Sequence, residues 1–374
     1  MSTDTADASD RIREFAVSFP AMAGVQARTE FFVIMCPLRY LPRLFLFDEE
    51  SVPPEVRAQR VLNRNRLPAL VSYVTRNRND YVFSALTASV DGDMLFEPHE
   101  GAGHAQRLGV LHLSMDAKFL INDGQHRRAA IEEAMKEDPS LGDETIPIVI
   151  FRDRGLKRSQ QMFADLNRHA VRPAKSIGVL YDHRDDDSGI ARLIVLRSEF
   201  FRHLVDVESS SLSARSRKLF TLSALYKGTQ VLMAGHQYNS LEAAAEVAQN
   251  YWETVAARIP EWSLVRTGVL PAGDSRAEFI HSHGIALHAL GKVGSTIVTN
   301  TAERDWGRAL DGLRQIDWSR RNTGLWEGRA MIGGRVSKAT NNVTLTTNVL
   351  RAALGQDLSP EEQRVEDAFL GGRA

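Results

Sequence analysis

The stretch Asn122-Asp123-Gly124-Gln125-His126-Arg127-Arg128 constrains what this chain can fold into more than any other. Before it stands Ala117-Lys118-Phe119-Leu120-Ile121, an apolar run of strand length. After it, Ala129, Ala130, Ile131, Ala134 and Met135 recur at helical spacing. The pattern predicts a strand ending at Asp123, a tight turn at Gly124 and a helix from about Gln125. Free backbone N–H groups and the positive end of the helix dipole then meet His126, Arg127 and Arg128. That combination suits an anion, most naturally a phosphate. Cations at a helix N-terminus oppose the dipole, so a row of them needs a reason. The plainer reading is a strand–turn–helix with solvated arginines on its first turn. His126 has two possible roles: a general base toward a water attacking phosphate, or a hydrogen-bonding residue of the turn. With Asp123 the one carboxylate beside it, binding is preferred over catalysis.

A chain of 374 residues has room for two domains and a sizeable core. Its 43% hydrophobic and 25% charged residues describe an ordinary globular protein, with no expected membrane contact. A net charge of −1 excludes a uniformly basic surface, so nucleic-acid binding must use a local patch. The single cysteine, Cys36, excludes an intramolecular disulfide and a cysteine-based zinc cluster. It sits in an apolar run, as a small core residue or, on a sharper reading, a redox-sensing thiol. The polar, acidic start and the lack of any apolar run near the ~20 residues of a membrane helix predict a cytoplasmic protein.

Residues 1–28 read as an arm that becomes ordered near Phe15 to Phe19. Strands are predicted over 30–35, 44–47, 81–90 and 146–151, and a helix over 53–78 that carries many arginines. Residues 98–107 read as a loop, in which His99 and His104 lack a third metal ligand. Arg152, Arg154, Lys157 and Arg158 precede a helix over 159–166. Beyond Pro173 helical patterns dominate, over 189–198, 218–234, 240–259, 276–299 and 302–316. Asp185 to Asp187 read as a solvated loop or a helix cap rather than metal ligands. Arg172 and Lys175 lie before this region. Within it, Ser209 to Ser213 mix hydroxyls with Arg215, Arg217 and Lys218, groups that hold phosphate oxygens. Arg335 and Lys338 precede a helix expected from about Leu345, either a helix-turn-helix-like reader or a surface turn. Trp306, Trp318 and Trp326 read as core anchors.

Asp123-Gly124-Gln125-His126-Arg127 is the name-giving motif of the DGQHR-domain proteins, remote relatives of the ParB/sulfiredoxin fold. Phe163-Ala164-Asp165-Leu166-Asn167-Arg168-His169, Leu212-Ser213-Ala214-Arg215-Ser216-Arg217-Lys218 and Val343-Thr344-Leu345-Thr346-Thr347 resemble further blocks of the bacterial DndB family. The resemblance runs from about Phe31 onward. It implies an α+β fold: an arm over 1–28, a ParB/sulfiredoxin-like domain over 29–185 and a mainly α-helical region over 186–374. It also implies a DNA-binding regulator of the DNA phosphorothioation operon. By the ParB likeness, Gly124 to Arg127 form one nucleotide box and Asp165, Asn167 and Arg168 a second, which together could hold ATP or CTP with magnesium. Sulfiredoxin chemistry is excluded, because Gln125 stands where that family has its attacking cysteine.

The reading that results is a nucleoid-associated repressor, at least dimeric, acting on double-stranded operator DNA. Its phosphate- or nucleotide-directed groups are Asp123, Gly124, Gln125, His126, Arg127, Asp165, Asn167 and Arg168. Its DNA contacts are Arg128, Arg154, Lys157, Arg158, Arg172, Lys175, Arg215, Arg217, Lys218, Arg335 and Lys338. The competing classes are a nucleoside triphosphate hydrolase that uses the same turn and an assembly factor that contacts other modification proteins.

Overall fold

Alternation of buried and exposed side chains builds the first part of the chain into strands. The computed structural model describes residues 16–45, 64–152, 161–162, 165–166 and 173–372. The chain separates into two compact units, Met1–Val171 and Arg172–Ala374.

The first unit is a sheet with helices. Its strands are β1 (Ala16–Gln26), β2 (Thr29–Pro37), β3 (Leu86–Asp91), β4 (Met94–Pro98), β5 (Leu108–Ser114), β6 (Lys118–Asp123) and β7 (Thr145–Arg152). They lie in the order β4-β5-β1-β2-β7-β3-β6, antiparallel except for the parallel pair β3 and β7. Helices α1 (Leu67–Arg76) and α2 (Gln125–Glu137) add Val74, Ile131 and Ala134 to a core of Phe32, Ile34, Leu86, Ala88, Ile148 and Ile150. Cys36 is fully buried in that core, and its apolar surroundings push its thiol up to about 12. The structure thus takes the core reading of Cys36 and not the redox one.

Residues 16–26, expected within the arm, instead form β1 in the interior of the sheet. Phe19 and Ala21 alternate inward between the exposed Ser18, Pro20 and Met22. Pro20 is tolerated because β1 pairs there with β5 alone; the register with β2 starts at Ala21. Two other strand expectations shrink. Leu44 closes a helical turn, Leu41–Leu44, and residues 46–47 lie outside the described residues. The strand expected from Tyr81 begins only at Leu86. Of the helix expected over 53–78, residues 53–63 lie outside the described residues, as does most of the helix expected over 159–166.

The second unit is helical. Its main elements are α3 (Lys175–Tyr181), α4 (Asp186–Arg197), α5 (Leu222–Met233), α6 (Leu241–Ala256), α7 (Ala272–Glu278), α8 (Gly284–Asn300), α9 (Thr340–Ala353) and α10 (Pro360–Gly371). Asp185 caps α4 by accepting from Ser188 N–H at 3.2 Å. The boundary expected near 185 differs from the division seen: α3 packs by Ser176, whose hydroxyl donates to Ser209 O at 2.7 Å, so it joins the second unit. Trp306, Trp318 and Trp326 are buried core anchors, as expected.

The single helix expected over 276–299 is broken between Glu278 and Gly284. Tertiary bonds override the helical pattern there: Ile280 N–H donates to Trp318 O at 2.9 Å, and Trp262 Nε1 donates to His281 Nδ1 at 3.0 Å. The helix expected over 302–316 is reduced to short turns around Trp306–Ala309. The tail is no helix-turn-helix reader. Most of α9 is buried, including Asn342, Leu345, Thr346, Thr347, Asn348 and Leu350, so it has no free face for a DNA groove. Its threonines survive burial by donating back along the helix, Thr346 to Asn342 O at 2.7 Å and Thr347 to Val343 O at 2.8 Å. Among the described residues no helix is long and apolar enough to cross a membrane.

Candidate functional site

The strand–turn–helix is built as the sequence predicts. β6 ends at Asp123, Gly124 adopts φ +99°, and α2 starts at Gln125. Only glycine fits: a Cβ at Gly124 would stand 2.4 Å from Leu86 Cδ2, and Leu86 is itself fully buried. Asn122, also buried, donates to Ser89 Oγ at 2.6 Å and touches Met162 Sδ at 3.2 Å. Gly124, at the N-cap of α2, offers no side chain to cap it, and none is seen there among the described residues.

The arginines of this turn face inward to protein acceptors. Arg127 Nη2 donates to Asp123 Oδ2 at 2.6 Å, and its Nη1 donates to Ser84 O at 2.8 Å and to Ser84 Oγ. Arg128 Nη2 donates to Glu132 Oε1 at 2.6 Å, one turn along the helix. These carboxylates supply the reason that cations at the positive end of a helix dipole required. His126 is half-buried, and burial together with the charge of Arg66 holds its imidazole below the ordinary histidine range. It is therefore largely neutral at pH 7. Asp165 accepts from Gln161 Nε2 at 2.6 Å. Asn167 and Arg168, the rest of the second box, lie outside the described residues, as do Arg154, Lys157, Arg158 and Arg172.

In the second unit, the basic segments that sequence reading kept apart are tied to one another. Lys175 N–H donates to Ser210 Oγ at 3.0 Å, and Ser223 N–H donates to Ser176 Oγ at 3.2 Å. The loop carrying exposed Arg215 and Arg217 is pinned by Arg276. Its guanidinium donates to Ser213 O at 2.6 Å, to Ser216 O at 3.2 Å and to Lys218 O. Lys218 Nζ in turn donates to His203 O at 3.0 Å. Arg320 carries the chain of contacts onward, donating to Ala277 O at 3.0 Å and to Gly334 O at 2.8 Å. Gly334 belongs to the hairpin of β8 (Met331–Ile332) and β9 (Arg335–Val336), where exposed Arg335 sits. The contacts return to their start at Lys338, whose Nζ lies 3.0 Å from where a Cβ on Gly284 would be; that Cβ would also meet Ala224 at 3.1 Å. Sequence reading missed Arg276 and Arg320, because an isolated arginine gives no sign that it staples two loops.

Some arginines of the unit meet carboxylates: Arg329 Nη1 donates to Glu366 at 2.8 Å and Arg258 Nε to Asp311 at 3.1 Å, and Arg351 Nε forms an ion pair with Glu362 at 3.0 Å. Others, such as Arg192, Arg202 and Arg314, donate to carbonyl oxygens. Arg276 and Arg320 donate to neutral carbonyl oxygens, which satisfy their N–H groups without cancelling their charge, whereas Lys218, whose Nζ donates to His203 O, also meets the charge of Asp206. Two carboxylates of these segments accept from backbone N–H groups. Asp206 accepts from Glu208 N–H at 3.0 Å and Ser209 N–H at 2.7 Å, and Glu327 accepts from Gly333 and Gly334 N–H.

The model of the DndB family, described as DNA-sulfur modification-associated, matches residues 19–357. The chain belongs to the DndB family. No curated protein and no solved structure matches it. The DndB match takes in both the Gly124 turn and the cationic face of the helical unit, and membership ties the chain to DNA sulfur modification.

Proposed function

We propose that this DndB-family protein is a DNA-binding regulator that represses the genes of a DNA phosphorothioate-modification system. The observation that carries the proposal is the cationic face of the helical unit. Its segments at Lys175, Arg215 to Lys218 and Arg335 to Lys338 are linked by hydrogen bonds in which Arg276 and Arg320 donate to carbonyl oxygens rather than to carboxylates. Such a face supplies the local patch that a chain of net charge −1 needs to hold a phosphate backbone. Exposed arginines on turns reach phosphates and base edges, and serine hydroxyls add neutral donors. An operator of paired half-sites calls for at least a dimer, acting in the cytoplasm at the nucleoid.

A second reading concerns the first unit, taken as ParB/sulfiredoxin-like. It is favoured by the uncapped start of α2 beside a neutral His126, which could receive a nucleotide phosphate and serve as a base. The donor set fits a triphosphate with magnesium only in part. Arg127 and Arg128 are already matched by Asp123 and Glu132, so the turn would offer backbone N–H groups, His126 and Arg66.

The test is an electrophoretic shift across a salt series, comparing the promoter of the modification genes with scrambled duplex, with and without ATP or CTP and magnesium. Promoter-selective binding without nucleotide supports the regulator. Binding only with nucleotide makes the Gly124 turn a switch. Absence of selective binding at every salt concentration overturns the operator role, and turnover lost in His126→Ala then marks a hydrolase.

A further inference from the structure

The last helix, α10, is held to its unit by carboxylates more than by apolar surface. Its one buried residue is Glu362, which forms an ion pair with Arg351 at 3.0 Å. One turn on, Glu366 lies across the guanidinium of Arg329, accepting from Nη1 at 2.8 Å and also from Nη2. The same carboxylate accepts from Asn348 Nδ2 at 2.9 Å. The apolar share is small: Val365 and Phe369 are half-buried, and the Phe369 ring centre stands 4.4 Å from Arg329 Cζ. The helical form of α10 is set locally, by the capping box of Ser359 and Glu362 and by Gln363 Nε2 donating to Asp367 at 2.7 Å. Behind it the chain is pinned at Gln356, whose Nε2 donates to Val293 O at 3.3 Å. Exposed Asp357 and Ser359 lie between that pin and the helix.

We infer that Arg329 and Asn348 form a seat for one phosphate of a DNA backbone, which α10 fills with Glu366 in the free protein and yields when DNA binds. The inference rests on the DNA-binding reading above and deepens it by naming a contact under internal control. A guanidinium fork beside an amide N–H is a donor set that carboxylate and phosphate oxygens share, so Glu366 stands in for the phosphate. Arg329 holds the Glu366 carboxyl below the usual carboxylate range, so the substitute carries its charge at neutral pH. The seat adjoins the cationic face. Asn342 Nδ2 donates to Arg329 O at 2.5 Å, and Ser337 N–H donates to Ala330 O at 3.0 Å, which ties Arg329 to the hairpin of exposed Arg335. A lone ion would replace Glu366 without using Arg335, whereas a strand of phosphates engages both. Apolar docking is indifferent to salt, but a helix docked by ion pairs can be exchanged for another polyanion.

The exchange predicts a gain of binding from a lost ion pair. In the full chain, Glu366→Gln is compared with Glu246→Gln, which removes the same charge from an exposed position on α6. Duplex affinity is measured by fluorescence anisotropy over a salt series, with thermal melts checking that each variant is folded. Freed from its carboxylate, Arg329 adds a phosphate contact. Glu366→Gln should then bind about three- to tenfold tighter, with the slope of log K against log salt steeper by about 0.9. Adding Arg329→Gln to that variant should remove both gains. Amide exchange in the wild-type protein reads the helix itself: saturating duplex should speed exchange over 360–371.

An affinity for Glu366→Gln no higher than that of Glu246→Gln, with wild-type protein still binding duplex, overturns the seat and leaves the DNA-binding reading standing. A gain that survives Arg329→Gln belongs to overall charge and also overturns it. If Glu366→Gln does not fold, the wild-type exchange decides: rates over 360–371 that duplex leaves unchanged or slows sink the inference. Inorganic phosphate that speeds this exchange as much as duplex does, at equal ionic strength, assigns the seat to a small anion and overturns the proposal. Failure of both wild type and Glu366→Gln to bind duplex takes down the parent reading and the seat together.

Discussion

Arg127 Nη2 stands 2.6 Å from Asp123 Oδ2, so the guanidinium that looked free in the sequence closes the turn it follows. Its second hold, on Ser84 O at 2.8 Å, ties that turn to the segment before β3. Arg127 therefore acts first on architecture. Arg127→Ala is expected to lower the stability of the sheet unit by about 1–3 kcal/mol, the usual scale for charge-assisted hydrogen bonds at a partly exposed site. The urea midpoint measures it. A variant as stable as wild type, but with its DNA affinity abolished, would show a direct phosphate contact instead.

Gly124→Ala should be costlier than its small size implies. The substitution puts a Cβ at a left-handed φ of +99° and 2.4 Å from Leu86 Cδ2. Backbone strain alone is worth about 1–3 kcal/mol, and Leu86 must also shift. Chemical denaturation of the two proteins side by side gives the difference; an unchanged midpoint would mean that the turn relaxes freely.

The Cys36 thiol, fully buried and pushed up to about 12, is expected to stay unmodified by a water-soluble disulfide reagent at pH 8 and to react in full in denaturant. Mass spectrometry reads the labelling. Rapid modification of the native protein would reopen a redox role.

Acid should weaken the helical unit through His283. Burial brings its imidazole down to about 4 from an ordinary 6.5, and its Nε2 faces Arg276 O at 2.8 Å. Below pH 6.5 the unfolded chain binds a proton that the native state refuses, so stability rises with pH across the interval from about 4 to 6.5. Between pH 7 and pH 5 the loss attributable to this group is about 1–2 kcal/mol. His283→Gln keeps a donor for Arg276 O but removes the titration. Its urea midpoint should change less over that range than that of the wild type, and equal slopes would absolve His283.

Arg276 touches no proposed ligand, yet it holds the loop that carries Arg215 and Arg217. Arg276→Lys keeps the charge but cannot reproduce a planar fork on several carbonyls. It is expected to speed amide exchange over 213–218 and to cost about tenfold in DNA affinity, or about 1.4 kcal/mol. Unchanged exchange with weakened binding would instead place Arg276 in direct contact with DNA.

How much of this was legible depended on how local each signal was. Strand, glycine and helix around Gly124 were readable because hydrophobic period, turn residue and helix start fall within a few neighbours. β1 was not, because Pro20, Ala21, Ala23 and Gly24 have weak strand preference and gain it only from pairing with β2 and β5. The break before Gly284 was hidden for a similar reason: it is dictated by Trp262 and Trp318, which bond His281 and Ile280 from other parts of the unit. Within the site, residue types at the DNA-directed positions were visible. That Lys175, Arg217 and Lys338 share a face was not, since Arg276 and Arg320 make the links and neither lies in a basic run. The inward commitment of Arg127 and Arg128 was equally hidden, because a carboxylate four residues away is a common neighbour on any helix.

The sheet order reported above also governs time. β1 and β2 meet across a short turn, Gln26 against Thr29, but each finds its second neighbour only after a long loop has closed, since Phe31 pairs with Phe151 and Ala16 with Ser114. The helical unit depends on distant partners as well, packing α5 on α8 and α8 on α9. Local closures are fast and distant ones slow, so the β1–β2 hairpin should form ahead of the long-range pairings in either unit. During that interval the hairpin carries unpaired outer edges, open to other chains.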